Sequence, residues 1–274
     1  MGKILNGKTL AAHIKAQLKS EIAKGPPPTL AVILVGNDPA SQVYVRNKEK
    51  DCQECGIESR MYQLPANTTE QYLLGLINLL ANDLDVHGIL VQLPLPPHID
   101  QRKVIEAIPP AKDVDCFTEQ NVGRLAIGNP RFAPCTPAGI IKLLEAYEVP
   151  MAGKHMVVVG RSNIVGKPIA LLGLAKNMTV TICHSKTKDL LSFTRQADIL
   201  VSAVGKPGFI REGMVKPGTV VVDVGMNRDK DGKLCGDCEP AVYEKSVAYT
   251  PVPGGVGPMT RAMLMQNTFH ALYV

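Results

Sequence analysis

Apolar residues recur at Leu10, Ile14, Leu18 and Ile22 with polar positions between them, a spacing that predicts an amphipathic helix near the N-terminus. Pro26-Pro27-Pro28 ends it. The next run, TLAVILVG from Thr29 to Gly36, is apolar without alternation, as expected of a parallel strand buried on both faces. Beyond it the pattern predicts a helix from about Pro39 to Cys55, a strand near Ser59–Leu64 and a helix over about Glu70–Asn82. A second buried strand, His87–Leu93 (HGILVQL), runs into Pro94. Strands alternating with helices in this way make a βαβαβ unit.

Residues 109–135 are rich in turn formers and read as a loop-rich crossing between domains, with a new helix opening near Thr136-Pro137. The second half repeats the alternation. Strands are expected at His155–Gly160, Thr179–Cys183, Asp198–Ala203 and Thr219–Val224, with helices from about Gly166 and about Pro258. The fold class is therefore α/β in two domains, the second doubly wound and Rossmann-like. The boundaries expected are residues 1–135 for an N-terminal α/β domain and 136–257 for the second, followed by a final helix over about 258–274.

At 274 residues the chain suits two domains of roughly 100–150 residues each. Its 45% hydrophobic and 20% charged residues are globular values. No apolar run approaches the ~18–20 residues that cross a bilayer, and no leader pattern precedes the first helix, so a cytoplasmic address without membrane attachment is expected. The net charge of +5 is too small and dispersed for nucleic-acid binding, but it suits a small anionic ligand. Seven cysteines, an odd number, point to reduced thiols. Cys52/Cys55 and Cys235/Cys238 have zinc-like spacing, but the first pair falls on one predicted helix and the second about 180 residues away, so no metal is expected.

The segment KHMVVVGRSNIVGKP is a buried strand that turns through Gly160, Arg161, Ser162 and Asn163 into a helix at Gly166. Glycines allow the tight turn, and N–H groups at a helix start attract phosphate. Lacking the G-x-G-x-x-G spacing, this turn is on its own either a dinucleotide site or mere structure. The following strand ends in TVTICHSKT, where a carboxylate would select NAD. His184, Ser185, Lys186 and Thr187 stand there instead, and Arg161 can add a planar cation for a 2′-phosphate, so NADP is favoured.

In PASQVYVRNKEK, Tyr44 and Lys48 are four residues apart and share a helix face. The pair could stack on a planar ligand and move a proton, or simply be a surface pair. Gln92 sits at the carboxyl end of a parallel strand, where α/β sheets bind ligands. Asp113 and Asp115 fall in the crossover loop, where solvated carboxylates are the plain expectation.

Taken in order, YVRNK, VQLPLP, KDVDCF, PCTPAG, GRSNIVGKP, HSKT and TPVPGGVGPMT closely resemble the methylenetetrahydrofolate dehydrogenase/methenyltetrahydrofolate cyclohydrolase family over about residues 36–268. The resemblance implies NADP-dependent oxidation of 5,10-methylenetetrahydrofolate and hydrolysis of the methenyl product to 10-formyltetrahydrofolate, in a homodimer with the folate cleft between the domains. It also implies that residues 1–135 form the catalytic domain, with the final helix, about 258–274, packing back on it, that 136–257 bind NADP, and it implies roles for single residues. Tyr44 would pack on the aminobenzoyl ring, Lys48 would be the catalytic amine supported by Gln92, and Asp115 would hold the pterin amino edge. Val91, Leu93 and the run Pro253, Gly254, Gly255, Val256 and Gly257 would line the folate; Gly160, Arg161, Ser162, Ser185 and the backbone near Met226 would hold NADP.

The chemistry suits these assignments. Hydride transfer needs alignment more than acid or base, whereas adding water to a methenyl cation needs a base. A lysine serves only if burial and the substrate's own charge lower its pKa from about 10.4. Two departures stand out. Cys116 occupies the family's usual glycine after KDVD, and Cys238-Glu239-Pro240 follows Gly236-Asp237. Two other functions remain open, a dehydrogenase without the hydrolase step and a binding protein without turnover. NADPH absorbance and decay of the methenyl chromophore separate them.

Overall fold

In the computed structural model, which describes residues 2–273 (the side chain at position 40 excepted), the chain divides into two units. One joins the residues up to Ala12 with Pro134–Thr260, the other His13–Ala133 with the chain from Arg261 onward. Residues 2–12 group with the later half because of a strand the hydrophobic pattern did not announce. This is β1 (Lys3–Ile4), which at two residues is too short to show a period.

After it comes α1 (Gly7–Ile22), then β2 (Thr29–Val35), buried at all seven positions as its uniform apolar run requires. α2 (Pro39–Cys55) begins where Asp38 caps the Ser41 N–H at 2.8 Å with Pro39 behind it, and ends at Gly56 in the left-handed region. β3 (Glu58–Leu64), α3 (Glu70–Asn82, capped by Thr69) and β4 (Gly88–Val91) complete a parallel sheet in the order β3-β2-β4. On one face Ala31, Ile33 and Val35 pack with Leu73, Ile77 and Leu80 of α3 and with Ile89 and Val91. β4 stops at Val91, two residues earlier than its sequence pattern, although the Gln92 N–H still bonds to the Ile33 carbonyl at 2.8 Å.

α4 (Gln101–Glu106) and α5 (Glu119–Ala126) follow. α5 lies inside the stretch expected to be loop. Its polar sequence, EQNVGRLA, buries only Asn121 and Leu125, too few positions to show a helical period, and its start is set by Thr118.

After α6 (Cys135–Ala146) the chain runs through β5 (His155–Val159), α7 (Gly166–Ala175), β6 (Thr179–Cys183), α8 (Leu190–Thr194), β7 (Ile199–Ser202) and β8 (Val220–Asp223). A short antiparallel pair, β9 (Asn227–Arg228) and β10 (Leu234–Cys235), precedes α9 (Pro240–Lys245), β11 (Ala248–Tyr249) and α10 (Val256–Ala271). The six strands run parallel in the order β1-β11-β8-β7-β5-β6. The chain leaves β5 to one side for β6 and returns on its other side with β7. That reversal opens a crevice at the carboxyl ends of the strands, the usual nucleotide position of a doubly wound sheet. Among the described residues no helix is long and apolar enough to cross a membrane.

Candidate functional site

Lys48 lies on α2 one turn after Tyr44, and its Nζ donates to Gln92 Oε1 at 3.0 Å. Gln92 is held by its neighbours: its N–H bonds to the Ile33 carbonyl at 2.8 Å and its Nε2 donates to the Leu93 carbonyl at 2.7 Å. With the amide nitrogen so engaged, Oε1 must face the lysine. The acceptor is a neutral amide, so the bond aims the amine without pairing it to a carboxylate. Tyr44, one turn before the amine on the same helix, is 37% exposed.

α2 is fastened beneath this pair by charge. Asp51, one turn beyond Lys48, is buried; Lys15 Nζ of α1 lies 2.7 Å from its Oδ1 and Arg261 Nη1 of α10 lies 2.9 Å from its Oδ2. The arginine contact is an ion pair without hydrogen-bond alignment at Oδ2, and the same nitrogen donates to the Asn47 carbonyl at 3.4 Å. Lys15 also pairs with Glu54. Burial alone would lower the Lys15 pKa, but its bonds to Asp51 and Glu54 outweigh that and raise it.

The two aspartates of KDVD separate in role. Asp113 is buried, contrary to the solvated carboxylate expected there, and is fully engaged. It accepts the N–H groups of Phe117 (3.1 Å) and Thr118 (2.9 Å), the Thr118 hydroxyl (2.8 Å) and the Asn121 amide (2.9 Å), and so closes the start of α5. Asp115 is the half-buried one. Cys116 beside it has φ +60°, a left-handed conformation that glycine adopts without cost and other residues rarely do. Its thiol donates to the Phe132 carbonyl at 3.2 Å, and Asn267 of α10 donates to the carbonyls of Val114 (2.8 Å) and Ala133 (3.0 Å). The loop thus tolerates a side chain at 116 because buried bonds hold it.

In the other unit the turn after β5 is built as its sequence suggests. Gly160 has φ +131°, and a Cβ at Gly166 would lie 2.2 Å from the Gly160 carbonyl oxygen, so this approach requires glycine. Ser162 Oγ accepts the N–H groups of Val165 (3.2 Å) and Gly166 (3.3 Å) in the turn that leads into α7, which leaves its hydroxyl proton for another acceptor. Arg161 is exposed, as are Ser185 and Lys186 beyond β6. The first carboxylate after β6, Asp189, caps α8 through the Ser192 N–H at 3.3 Å. Between β6 and Asp189 the chain thus carries cations and hydroxyls and no carboxylate, a composition that fits a dinucleotide carrying a 2′-phosphate. Met226 is 47% exposed, and a Cβ on Gly257 would stand 3.4 Å from its sulfur, which brings two of the expected positions together. Nearby, the Gly254 carbonyl accepts the Lys8 N–H at 2.9 Å, and Val256 opens α10.

All seven cysteines are free thiols, six of them buried; Cys52 and Cys55 are pushed up to about 12, chiefly by burial. Among the described residues no group of three His, Cys, Asp or Glu side chains is placed to hold a metal. Three buried carboxylates escaped the sequence reading: Asp51, Asp223 and Asp237. The partners of Asp51, Lys15 and Arg261, come from two distant segments, so no local motif could reveal it.

Residues 5–115 match the family described as the tetrahydrofolate dehydrogenase/cyclohydrolase catalytic domain, and residues 134–273 match its NAD(P)-binding domain. The bifunctional protein FolD of Ruminiclostridium cellulolyticum is 59% identical, with 98% of this chain and 97% of that protein covered. Among solved structures, the bifunctional FolD methylenetetrahydrofolate dehydrogenase/cyclohydrolase of Campylobacter jejuni has a TM-score of 0.97 at 51% identity, covering 100% of this chain and 99% of that one. The Trypanosoma brucei dehydrogenase-cyclohydrolase, solved with NADP cofactor and inhibitor, has a TM-score of 0.95 at 39% identity, with 99% and 97% covered.

Proposed function

The chain belongs to the tetrahydrofolate dehydrogenase/cyclohydrolase family, and on that premise we propose that it oxidises 5,10-methylenetetrahydrofolate with NADP and hydrolyses the methenyl product to 10-formyltetrahydrofolate. The observation that carries the hydrolytic half is the Lys48 Nζ to Gln92 Oε1 bond of 3.0 Å, on a helix that also presents Tyr44. NADP, when bound, accepts the hydride that leaves the methylene carbon. For that step the chain has to align the folate, and we assign this to Tyr44 stacking on the aminobenzoyl ring and Asp115 on the pterin amino edge. Val91, Leu93, Pro253, Gly254, Gly255, Val256 and Gly257 are assigned to the folate as well.

Hydrolysis asks more of the residues. A water oxygen bonds to the methenyl carbon, its proton passes to Lys48, one ring C–N bond opens and the freed nitrogen takes a proton. Gln92 keeps the amine directed at that position. We assign Gly160, Arg161, Ser162, Ser185 and Met226 to the cofactor, Arg161 at the 2′-phosphate. Family membership also supports a cytoplasmic homodimer that engages neither nucleic acid nor membrane, and analytical ultracentrifugation tests the dimer.

Purified protein given methylenetetrahydrofolate and NADP is expected to raise NADPH absorbance and then to consume added methenyltetrahydrofolate. NADPH formation without methenyl decay would leave a dehydrogenase alone, and neither signal would leave a binding protein. Arg161→Ala is expected to weaken NADP binding about tenfold to a hundredfold, since a charge-assisted bond to phosphate contributes about 1.5–3 kcal/mol, with NAD hardly affected. Equal losses for both cofactors, measured as KM, would refute the 2′-phosphate role.

A further inference from the structure

Two buried carboxylates in the nucleotide-binding unit have no part in the scheme above, yet between them they gather nine hydrogen bonds. Asp223, the last residue of β8, accepts the N–H groups of Gly225 (2.8 Å), Asp237 (2.9 Å) and Cys238 (2.8 Å) and the Tyr243 hydroxyl (2.7 Å). Asp237 accepts the N–H groups of Val204 (2.8 Å), Gly205 (3.3 Å) and Lys206 (2.9 Å), the Ser202 hydroxyl (3.1 Å) and the Asn227 amide (2.9 Å). Both are at most 1% exposed, and no lysine or arginine side chain is among these donors. The fit is close: a Cβ on Gly236 would fall 2.1 Å from Asp223 Oδ2.

Burying a charge without a cation costs several kcal/mol unless neighbouring dipoles replace water, and the N–H groups do so here. The bonds formed are charge-assisted and about twice as strong as neutral ones. What they fasten is specific. Asp237 organises the segment 203–206 that leaves β7, and through Asn227 it also holds the segment that leaves β8 and carries Met226. Both segments lie at the carboxyl ends of parallel strands, beside the β5 reversal, where such sheets take a dinucleotide.

We propose that Asp237 and Asn227 are positioning residues for the nicotinamide cofactor, keeping the loops after β7 and β8 in the shape that accepts it. This rests on the reading that NADP binds at this end of the sheet, but not on the role of Arg161. Because the loops are held rather than the 2′-phosphate touched, their loss acts on NADP and NAD alike. Asn227→Ala removes one bond to the carboxylate; the expected result is a KM for NADP raised about fivefold to thirtyfold, a similar rise for NAD, and methenyltetrahydrofolate hydrolysis, assayed without cofactor, within twofold of the parent. Asp237→Asn is expected to do more. Should that variant fail to fold, Asn227→Ala still decides the matter. Unchanged KM values for both cofactors in a folded Asn227→Ala protein, or a loss confined to hydrolysis, would overturn the proposal. A defect for NADP alone would do the same, because it would relocate Asn227 to the phosphate. A null result for Arg161→Ala beside a positive one here would remove only the phosphate assignment.

Discussion

Replacing Lys48 by methionine is expected to lower methenyltetrahydrofolate hydrolysis by about a hundredfold to ten-thousandfold, the usual contribution of a positioned base. Methionine keeps most of the unbranched stem and so the packing of α2, but it cannot bond to Gln92 Oε1 or take a proton from water. Oxidation makes no such demand, and dehydrogenase activity should fall by about tenfold or less, through looser alignment of the folate alone. The two rates separate in one cuvette, since NADPH formation and decay of the methenyl chromophore are read independently. A variant that hydrolyses the methenyl compound at the parent rate would remove Lys48 from the reaction. A variant that loses both activities in proportion would make the lysine a binding residue.

The pairing of Lys48 with Gln92 was legible in part. Four-residue spacing put Tyr44 and Lys48 on one helical face, and a polar residue ending a buried strand marked Gln92, but nothing local tied them together. The contact depends on how α2 lies along the β3-β2-β4 sheet. Strands and long helices were readable for a related reason: an unbroken apolar run such as TLAVILV has few other uses. Where structure is fixed by side chains reaching across the sequence, the pattern was silent. Asp113 looked like an ordinary loop carboxylate until four donors enclosed it, and α5 looked like loop because few of its residues are buried. Cys116 shows both sides. A cysteine where the resemblance leads to an expectation of glycine pointed to a loop under constraint, and its φ is +60°, but the bonds to Phe132 and from Asn267 to Val114 that hold that loop span 16 and 153 residues.

The second large effect is expected at Asp51, and it is one of stability. Truncation in Asp51→Ala would leave Lys15 and Arg261, with side chains only 13% and 30% exposed, facing a buried site with no anion between them. Breaking a buried pair in this way costs about 3–5 kcal/mol, against about 0–1 for an exposed one. Partial exposure of Arg261 and the second partner of Lys15, Glu54, place the expectation at the lower end, about 3 kcal/mol. Urea unfolding followed on the unit that holds α2 measures it, and a loss below about 0.5 kcal/mol would show that the cluster behaves like a surface pair. The pH dependence has a definite sign. Lys15 has a folded pKa raised above the ordinary 10.5, so its contribution is complete below that value and is lost as pH rises through the raised one. The gap between parent and variant should therefore be constant near neutrality and narrow in strong alkali. Arg261 grips α2 at Asn47 and Asp51, on either side of Lys48. Well below its melting point, Asp51→Ala should accordingly also lose about tenfold in hydrolysis, because a base displaced by a fraction of an ångström no longer meets the attacking water.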